Sequence, residues 1–473
     1  MQKRGAFLRP FFWVASMAQR TGSGWARLFD KSCEPLPVLI VFLLLLFVTG
    51  GSSWPYENQL IVLRPAAILV GAWGLATMRV QDWREYRFLW AIFGVTAGLT
   101  AGQLVPLPFT WWSQLPGREI IAQADLAAGF NQISRPLSMH PEATMNALLS
   151  LTAPLAVLSM SAQLDEIAHR RVAGILMSFI AISAMIGLFQ LSGSHFSIYE
   201  TVTNIRPSGL FNNRNHQGAF LAMVFPLAIL AWKGGYQSGA SVRLERISAT
   251  SLGVLILPLA IVTGSRSGLL LACTAFALAL IEAPWKPTGR ANRKAAAVKA
   301  GALLGGLVLL VWLTVVSGRD EAVYRLAGAA QDSRFPLWSS VLDAIPTYMP
   351  WGTGVGAFAD AYQIHEPDAL LRPTYSNHAH NEWLEIAFTA GIPGLLILTF
   401  AAIAVIAGGI RAWRARGEAA VLPRAGFILI LILALASTSD YPVRTPIMSG
   451  ILALAAVWLS KDFGSVRRAK IEA

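Results

Sequence analysis

The stretch Leu36-Pro-Val-Leu-Ile-Val-Phe-Leu-Leu-Leu-Leu-Phe-Val-Thr49 carries no charged side chain. In hydrocarbon every backbone N–H and C=O must be satisfied internally, and a helix does this within one segment. Working outward, apolar runs of this kind recur along the chain. They cover Leu60 to Thr77, Phe88 to Leu107, Thr144 to Ala162, Val172 to Leu191, Gln217 to Trp232, Ser248 to Thr263 and Ser267 to Ile281, then Ala300 to Ser317, Ile392 to Ile410, Val421 to Thr438 and Thr445 to Leu459. Apolar residues make up 55% of the 473, charged ones only 14%, and the mean hydropathy is +0.52. A water-soluble chain of this length does not tolerate such a balance. The expected fold is all-α, a polytopic membrane bundle of about 12 transmembrane helices.

The formal net charge of +12 could point to nucleic acid. Its distribution argues otherwise, because with the N-terminus inside, most Lys and Arg fall in the segments on the inner side, as the positive-inside rule requires. Every lysine, Lys3, Lys31, Lys233, Lys286, Lys294, Lys299, Lys461 and Lys470, is on that side, so the outer basic residues are all arginines. A guanidinium fork matches phosphate and carboxylate oxygens in pairs, whereas an ammonium is a point charge. A phosphate-bearing partner outside suits this pattern, although codon preference in cation-poor outer loops produces it too. The chain divides into a basic, amphipathic cytoplasmic segment (1–33), a transmembrane domain (34–460) and a basic cytoplasmic tail (461–473). Within the transmembrane domain, 318–391 forms a large outer loop rich in Trp, Tyr, Pro and Gly. Cys33 and Cys273 sit in different apolar contexts and indicate neither a disulfide framework nor a metal site.

Three polar stretches interrupt the apolar pattern where spans meet the outer side. Arg206-Pro-Ser-Gly-Leu-Phe-Asn-Asn-Arg-Asn-His-Gln-Gly218 packs Arg206, Arg214 and three Asn into a short loop. Asn212, Asn213 and Asn215 can cap the following helix, whose N-terminus would favour an anion; a well-capped turn is the simpler alternative. Thr263-Gly-Ser-Arg-Ser-Gly268 leaves almost no loop between two runs, which puts Arg266 at the membrane boundary, as a site residue or as a side chain reaching lipid phosphate. Tyr375-Ser-Asn-His-Ala-His-Asn-Glu-Trp-Leu-Glu385 precedes Gly391-Ile-Pro-Gly394, and helical spacing from Asn381 to Ala390 sets His380 at the start of a short amphipathic helix. His380 can take a proton near neutral pH, with Glu382 or Glu385 to orient it. His378 and His380 with His365 form an alternative zinc set, but the usual ligand spacing is missing, so no metal is expected. No Asp-x-Asp pair and no Gly-Lys dipeptide occur, which disfavours a nucleotide-sugar metal site and a Walker loop. Gly352-Thr-Gly-Val-Gly356 reads as a flexible turn.

These three stretches, in this order, resemble those of the O-antigen ligase and polymerase superfamily of bacterial envelope enzymes. His380-Asn381, nine residues and then Gly391-x-x-Gly394-Leu395 is similar to that family's His-Asn-x9-Gly-x-x-Gly signature. The resemblance implies a metal-independent, cofactor-free, GT-C-like glycosyltransferase of the bacterial inner membrane, its site facing the periplasm. It implies transfer of a glycan from undecaprenyl pyrophosphate to a saccharide or lipid A core acceptor. Membrane lipids are the further partner and nucleic acid is not one. Carried over, Arg206 and Arg266 hold the pyrophosphate with help from Arg214. His380 acts as base, with Asn381, Glu382, Glu385 and His378 in support. A polymerase of O-antigen or exopolysaccharide repeat units shares this chemistry. A polysaccharide transporter or flippase would instead place charges at mid-membrane depth in broken helices.

Overall fold

The computed structural model describes residues 34–130, 133–192, 196–199, 207–233, 249–256, 259–260, 263, 265–282, 334–371 and 375–461. Arg206, Cys33, the run Ala300 to Ser317 and most of the two basic termini lie outside them. The described chain is mostly helical, with a single two-stranded ribbon, Pro106–Leu107 antiparallel to Arg135–Pro136. Its principal helices are α1 (Pro35–Thr49), α2 (Leu60–Thr77), α3 (Arg87–Gly102), α4 (Pro141–Ser150), α5 (Thr152–Ser161) and α6 (Glu166–Leu191). After these come α7 (Arg214–Ala222), α8 (Val224–Lys233), α9 (Arg266–Glu282), α10 (Arg334–Ala344), α11 (Phe358–Gln363), α12 (Glu382–Arg414), α13 (Val421–Ala436) and α14 (Pro446–Ser460). Leu60–Thr77, Pro141–Ser161, Glu166–Leu191 and Glu382–Arg414 are long and apolar enough to cross a membrane. Shorter apolar helices, α1, α3, α9, α13 and α14 among them, occupy other expected spans.

The helix starts follow the sequence. Proline sits at the first turn of α1, α4 and α14, where its missing N–H has no intrahelical acceptor in any case. Asp165 caps α6 by accepting from the Ala168 N–H, and Thr445 caps α14 by accepting from the Met448 N–H. A core of Leu, Ala, Phe and Ile side chains joins α1, α5, α6, α7, α13 and α14. On α12, Leu396, Phe400, Ile403, Ile406 and Ile410 are exposed and recur every three or four residues. That makes an apolar stripe which water would not favour and lipid would.

A second, smaller core lies over one end of the bundle, where Leu337 and Val341 of α10, Tyr348, Phe358 and Tyr362 pack on Ala379 and on Phe388 of α12. The expected turn at 352–356 is a packed joint rather than a flexible one. Gly352, Gly354 and Gly356 all have positive φ, and a Cβ on Gly352 would lie 2.5 Å from the Thr389 carbonyl. Arg118 is fully buried and donates to the carbonyls of Pro116, Leu137 and Gly352, each at 2.8 Å. Arg135 forms a two-pronged pair with Asp125. These two arginines bind protein oxygens, so the outer preference for guanidinium is partly architectural.

Candidate functional site

Six helix ends meet beneath the smaller core: the C-terminal ends of α1 and α13 and the N-terminal ends of α7, α9, α12 and α14. The Asn212 N–H donates to the Gly51 carbonyl beyond α1, the Ile447 N–H donates to the Gly50 carbonyl, and the Glu382 N–H donates to the Ser437 carbonyl at the end of α13. All six are ends that the charge pattern directs outward.

Asp440, in the short link between α13 and α14, is the hub. Its side chain is only 3% exposed. Asn215 donates to Oδ2 through Nδ2 at 2.6 Å and Asn213 does so at 3.1 Å, while the Tyr441 N–H donates to Oδ1 at 3.0 Å. Two imidazoles face the same carboxylate oxygen, His380 through Nδ1 at 3.3 Å and His216 through Nε2 at 3.8 Å, and the Arg334 guanidinium lies 3.7 Å from Oδ2. Burial by itself pushes this carboxyl up, but the adjacent His216 and His380 outweigh it and hold Asp440 well below the usual carboxylate range. An ionised carboxylate only accepts, so His380 Nδ1 carries a proton towards Asp440, which puts the lone pair of the neutral imidazole on Nε2. The expected orienting groups, Glu382 and Glu385, are placed otherwise: Glu382 accepts from the Val443 N–H, and Asp440 is the carboxylate on His380.

His380 has φ +50°, the one positive value outside glycine among the described residues. Left-handed backbone is strained for a residue with a Cβ and persists where the surroundings over-determine it. The determinants are visible. Asn381 caps α12 by accepting from the Trp383 and Leu384 N–H groups, at 3.1 and 3.2 Å, which fixes the turn that follows. On the preceding side, Glu385, fully buried, accepts from the Ala379 N–H and from His378 Nδ1, both at 3.0 Å, and pairs with Arg444 at 3.0 Å. Burial pushes the His378 imidazole down, which keeps it neutral near pH 7. Tyr441 sits between three imidazoles, with ring centroids 4.1 Å from His378, 5.0 Å from His380 and 5.3 Å from His216. The expected helix from Asn381 to Ala390 forms, and Gly391, at φ +58°, kinks α12 there. A Cβ on Gly391 would meet the Pro350 carbonyl oxygen at 2.2 Å.

The serines around Arg266 join the same network. Ser265 Oγ accepts from the Gly268 N–H at 2.9 Å and donates to Asn215 Oδ1 at 2.8 Å, so a chain of contacts runs from the α9 start through Asn215 and Asp440 to His380. Gly268 and Gly218 let α9 and α7 approach closely, since a Cβ on either would come within 2.8 Å of the other's Cα. Arg266 is exposed at the start of α9, and Arg214 opens α7 and lines a cleft of about 320 Å³ with Trp54, Asn212, Asn213, His216, Asn377 and Tyr441. His365 belongs elsewhere, its Nε2 2.7 Å from the Tyr348 hydroxyl. Among the described residues no group of three or more His, Cys, Asp or Glu is arranged to hold a metal ion.

Residues 251–399 match the sequence pattern of the O-antigen ligase family. Over those residues the chain is similar to that family. No curated protein matches it. The matched part contains Arg266, His378, His380, Asn381, Glu382, Glu385, Gly391 and Gly394. It stops short of the groups that complete the network, since Asn213, Arg214, Asn215 and His216 precede it and Asp440, Tyr441 and Arg444 follow it. Sequence reading missed Asp440, Tyr441 and Arg444. Their signal is a link of a few residues between two apolar runs that nevertheless carries an acid, a phenol and a guanidinium.

Proposed function

We propose that this protein transfers a glycan from undecaprenyl pyrophosphate to an acceptor hydroxyl at the periplasmic face of the bacterial inner membrane, as a GT-C-like enzyme of about twelve spans. The lipid A core is the preferred acceptor. The observation that carries this reading is the pairing of His380 Nδ1 with a buried, ionised Asp440 beside a cleft lined by Arg214.

His380 Nε2 removes the proton from the acceptor hydroxyl as its oxygen attacks the anomeric carbon. The bond from that carbon to the phosphate oxygen breaks, and the diphosphate departs with the electron pair. Asp440 stabilises the imidazolium that forms, as a buried carboxylate does for a general base. Arg214 and Arg266, with Arg206, neutralise charge that grows on the leaving diphosphate, and fixed cations aimed at developing charge lower the barrier more than they favour the ground state. Residues 318–391 would lie over the site as an outer lobe. A polymerase would run the same steps with another glycan chain as acceptor.

Lipopolysaccharide from a deletion strain tests the assignment. Polymer left on its lipid carrier is expected, whereas single repeat units on the core would indicate a polymerase, and an unchanged pattern would reject both. In purified protein, Arg266→Lys retains charge but loses the fork, and a transfer rate reduced by about tenfold or more is expected. A wild-type rate would remove Arg266 from the leaving-group role.

A further inference from the structure

The cleft beside His380 has a wall that neither the base nor the leaving group uses. Among its described lining residues only Arg214 carries a permanent charge, and the others include an indole, amides and hydroxyls, from Trp54, Asn212, Asn377, Ser53 and Ser208. A diphosphate needs cations, and this wall offers few. An indole face beside amides instead suits a pyranose, whose C–H face stacks on the ring while its equatorial hydroxyls exchange hydrogen bonds with side-chain carbonyls and NH₂ groups. The volume of about 320 Å³ falls at the lower end of the range of small-molecule sites.

Two further features point to a ligand here. His216 is 1% exposed and lines the cleft, yet its Nδ1 has no partner among the described residues while its Nε2 faces Asp440. A buried polar atom left unsatisfied is costly, and a ligand hydroxyl or acetamido group would supply what is missing. Trp54 is also set in place rather than loose. Its N–H donates to Ser52 Oγ at 3.1 Å, Ser52 Oγ donates to Glu57 at 2.9 Å, and the neighbouring Gly51 carbonyl accepts from the Asn212 N–H at 3.2 Å. That arrangement fastens the link after α1, which carries Trp54, to the link before α7, and residues of both links line the cleft.

We infer that this cleft is a subsite for the carrier-proximal sugar ring of the donor, with Trp54 stacking on the pyranose and Asn212, Asn377 and His216 Nδ1 meeting its polar substituents. The inference rests on the donor being a diphosphate-linked glycan, and it makes the first sugar, rather than the polymer beyond it, what the protein reads. Trp54 is then a specificity-determining residue in a link that belongs to none of the three polar stretches singled out in the sequence.

The test uses full-length protein in lipid nanodiscs and two kinds of probe: undecaprenyl pyrophosphate alone, and the same carrier bearing one N-acetylglucosamine, glucose or galactose. Wild-type protein is expected to bind at least one sugar-bearing probe more tightly than the bare carrier. Trp54→Ala should weaken that binding by about tenfold and leave the bare carrier unchanged, while Trp54→Phe should retain most of the preference. Equal wild-type affinity for all probes, or an equal loss on both kinds in Trp54→Ala, would overturn the subsite while leaving the glycosyl-transfer reading intact. Wild-type protein that binds none of the probes would overturn both.

Discussion

Replacing Asp440 with Asn changes one atom and should disable the site. The carboxylate accepts from Asn213 and Asn215 at one oxygen and from the Tyr441 N–H at the other, where His380 Nδ1 also points from 3.3 Å. An amide offers one oxygen and one NH₂. If its oxygen keeps Asn213 and Asn215, the NH₂ faces His380, which then donates from Nε2 and can no longer accept the acceptor's proton. If the amide turns round, its NH₂ confronts two donor amides inside a site only 3% exposed. General-base assistance contributes about 10²–10⁴ in rate, or roughly 3–5 kcal/mol of barrier, and the wrong tautomer forfeits it. The assay is single-turnover transfer from a lipid-linked glycan to purified core acceptor, with donor affinity measured in parallel. A fall in turnover of 100-fold or more with donor binding changed by less than about threefold is expected. Turnover within threefold of wild type would refute the tautomer argument.

Other positions separate architecture from chemistry. Asn381→Ala removes the α12 cap and should cost about 1 kcal/mol of stability, seen as a lower melting temperature, with a far smaller effect on turnover than His380→Ala. Gly391→Ala demands φ +58° of an alanine and puts its Cβ 2.2 Å from the Pro350 oxygen, so a loss of more than about 1–3 kcal/mol is expected, read as reduced yield and melting temperature. His378, pushed down by burial, is protonated more readily in the unfolded chain than in the folded one. Its contribution to stability is therefore present above about pH 6.5 and is lost as pH falls through that ordinary value. Wild-type protein should lose melting temperature faster than His378→Asn between pH 7 and pH 5, and parallel curves would refute the assignment. Asp440 acts in the same direction over a lower window: held low, it stays ionised and stabilising down to the ordinary carboxylate range and yields only below it.

The sequence made some of this legible and hid the rest for physical reasons. Apolar runs announce helices because their composition is local, and α2 begins and ends where its run does, at Leu60 and Thr77. Arg214, the Asn213 cap, Asn215 and His380 stood out because each is polar at the edge of an apolar run, although Asn215 binds Asp440 and Ser265 rather than capping α7. Asn381 was read as a support for catalysis, and its contacts are those of a helix cap. Asp440 was missed because its partners Asn213, Asn215 and His380 lie 227, 225 and 60 residues away, and no local pattern encodes such distances. Arg118 shows the same limit, since nothing local announces its reach to the Gly352 carbonyl, 234 residues on, which makes it a clasp between loops.

In the proposed mechanism His380 Nε2 is the proton acceptor in a transfer whose donor is held by other groups. The direct measurement is a transfer assay on purified His380→Ala with a lipid-linked glycan and core acceptor, together with donor binding by the same sample. Donor bound as tightly as by wild type, with transfer reduced by at least about 100-fold, is the predicted result. Transfer at the wild-type rate would contradict it.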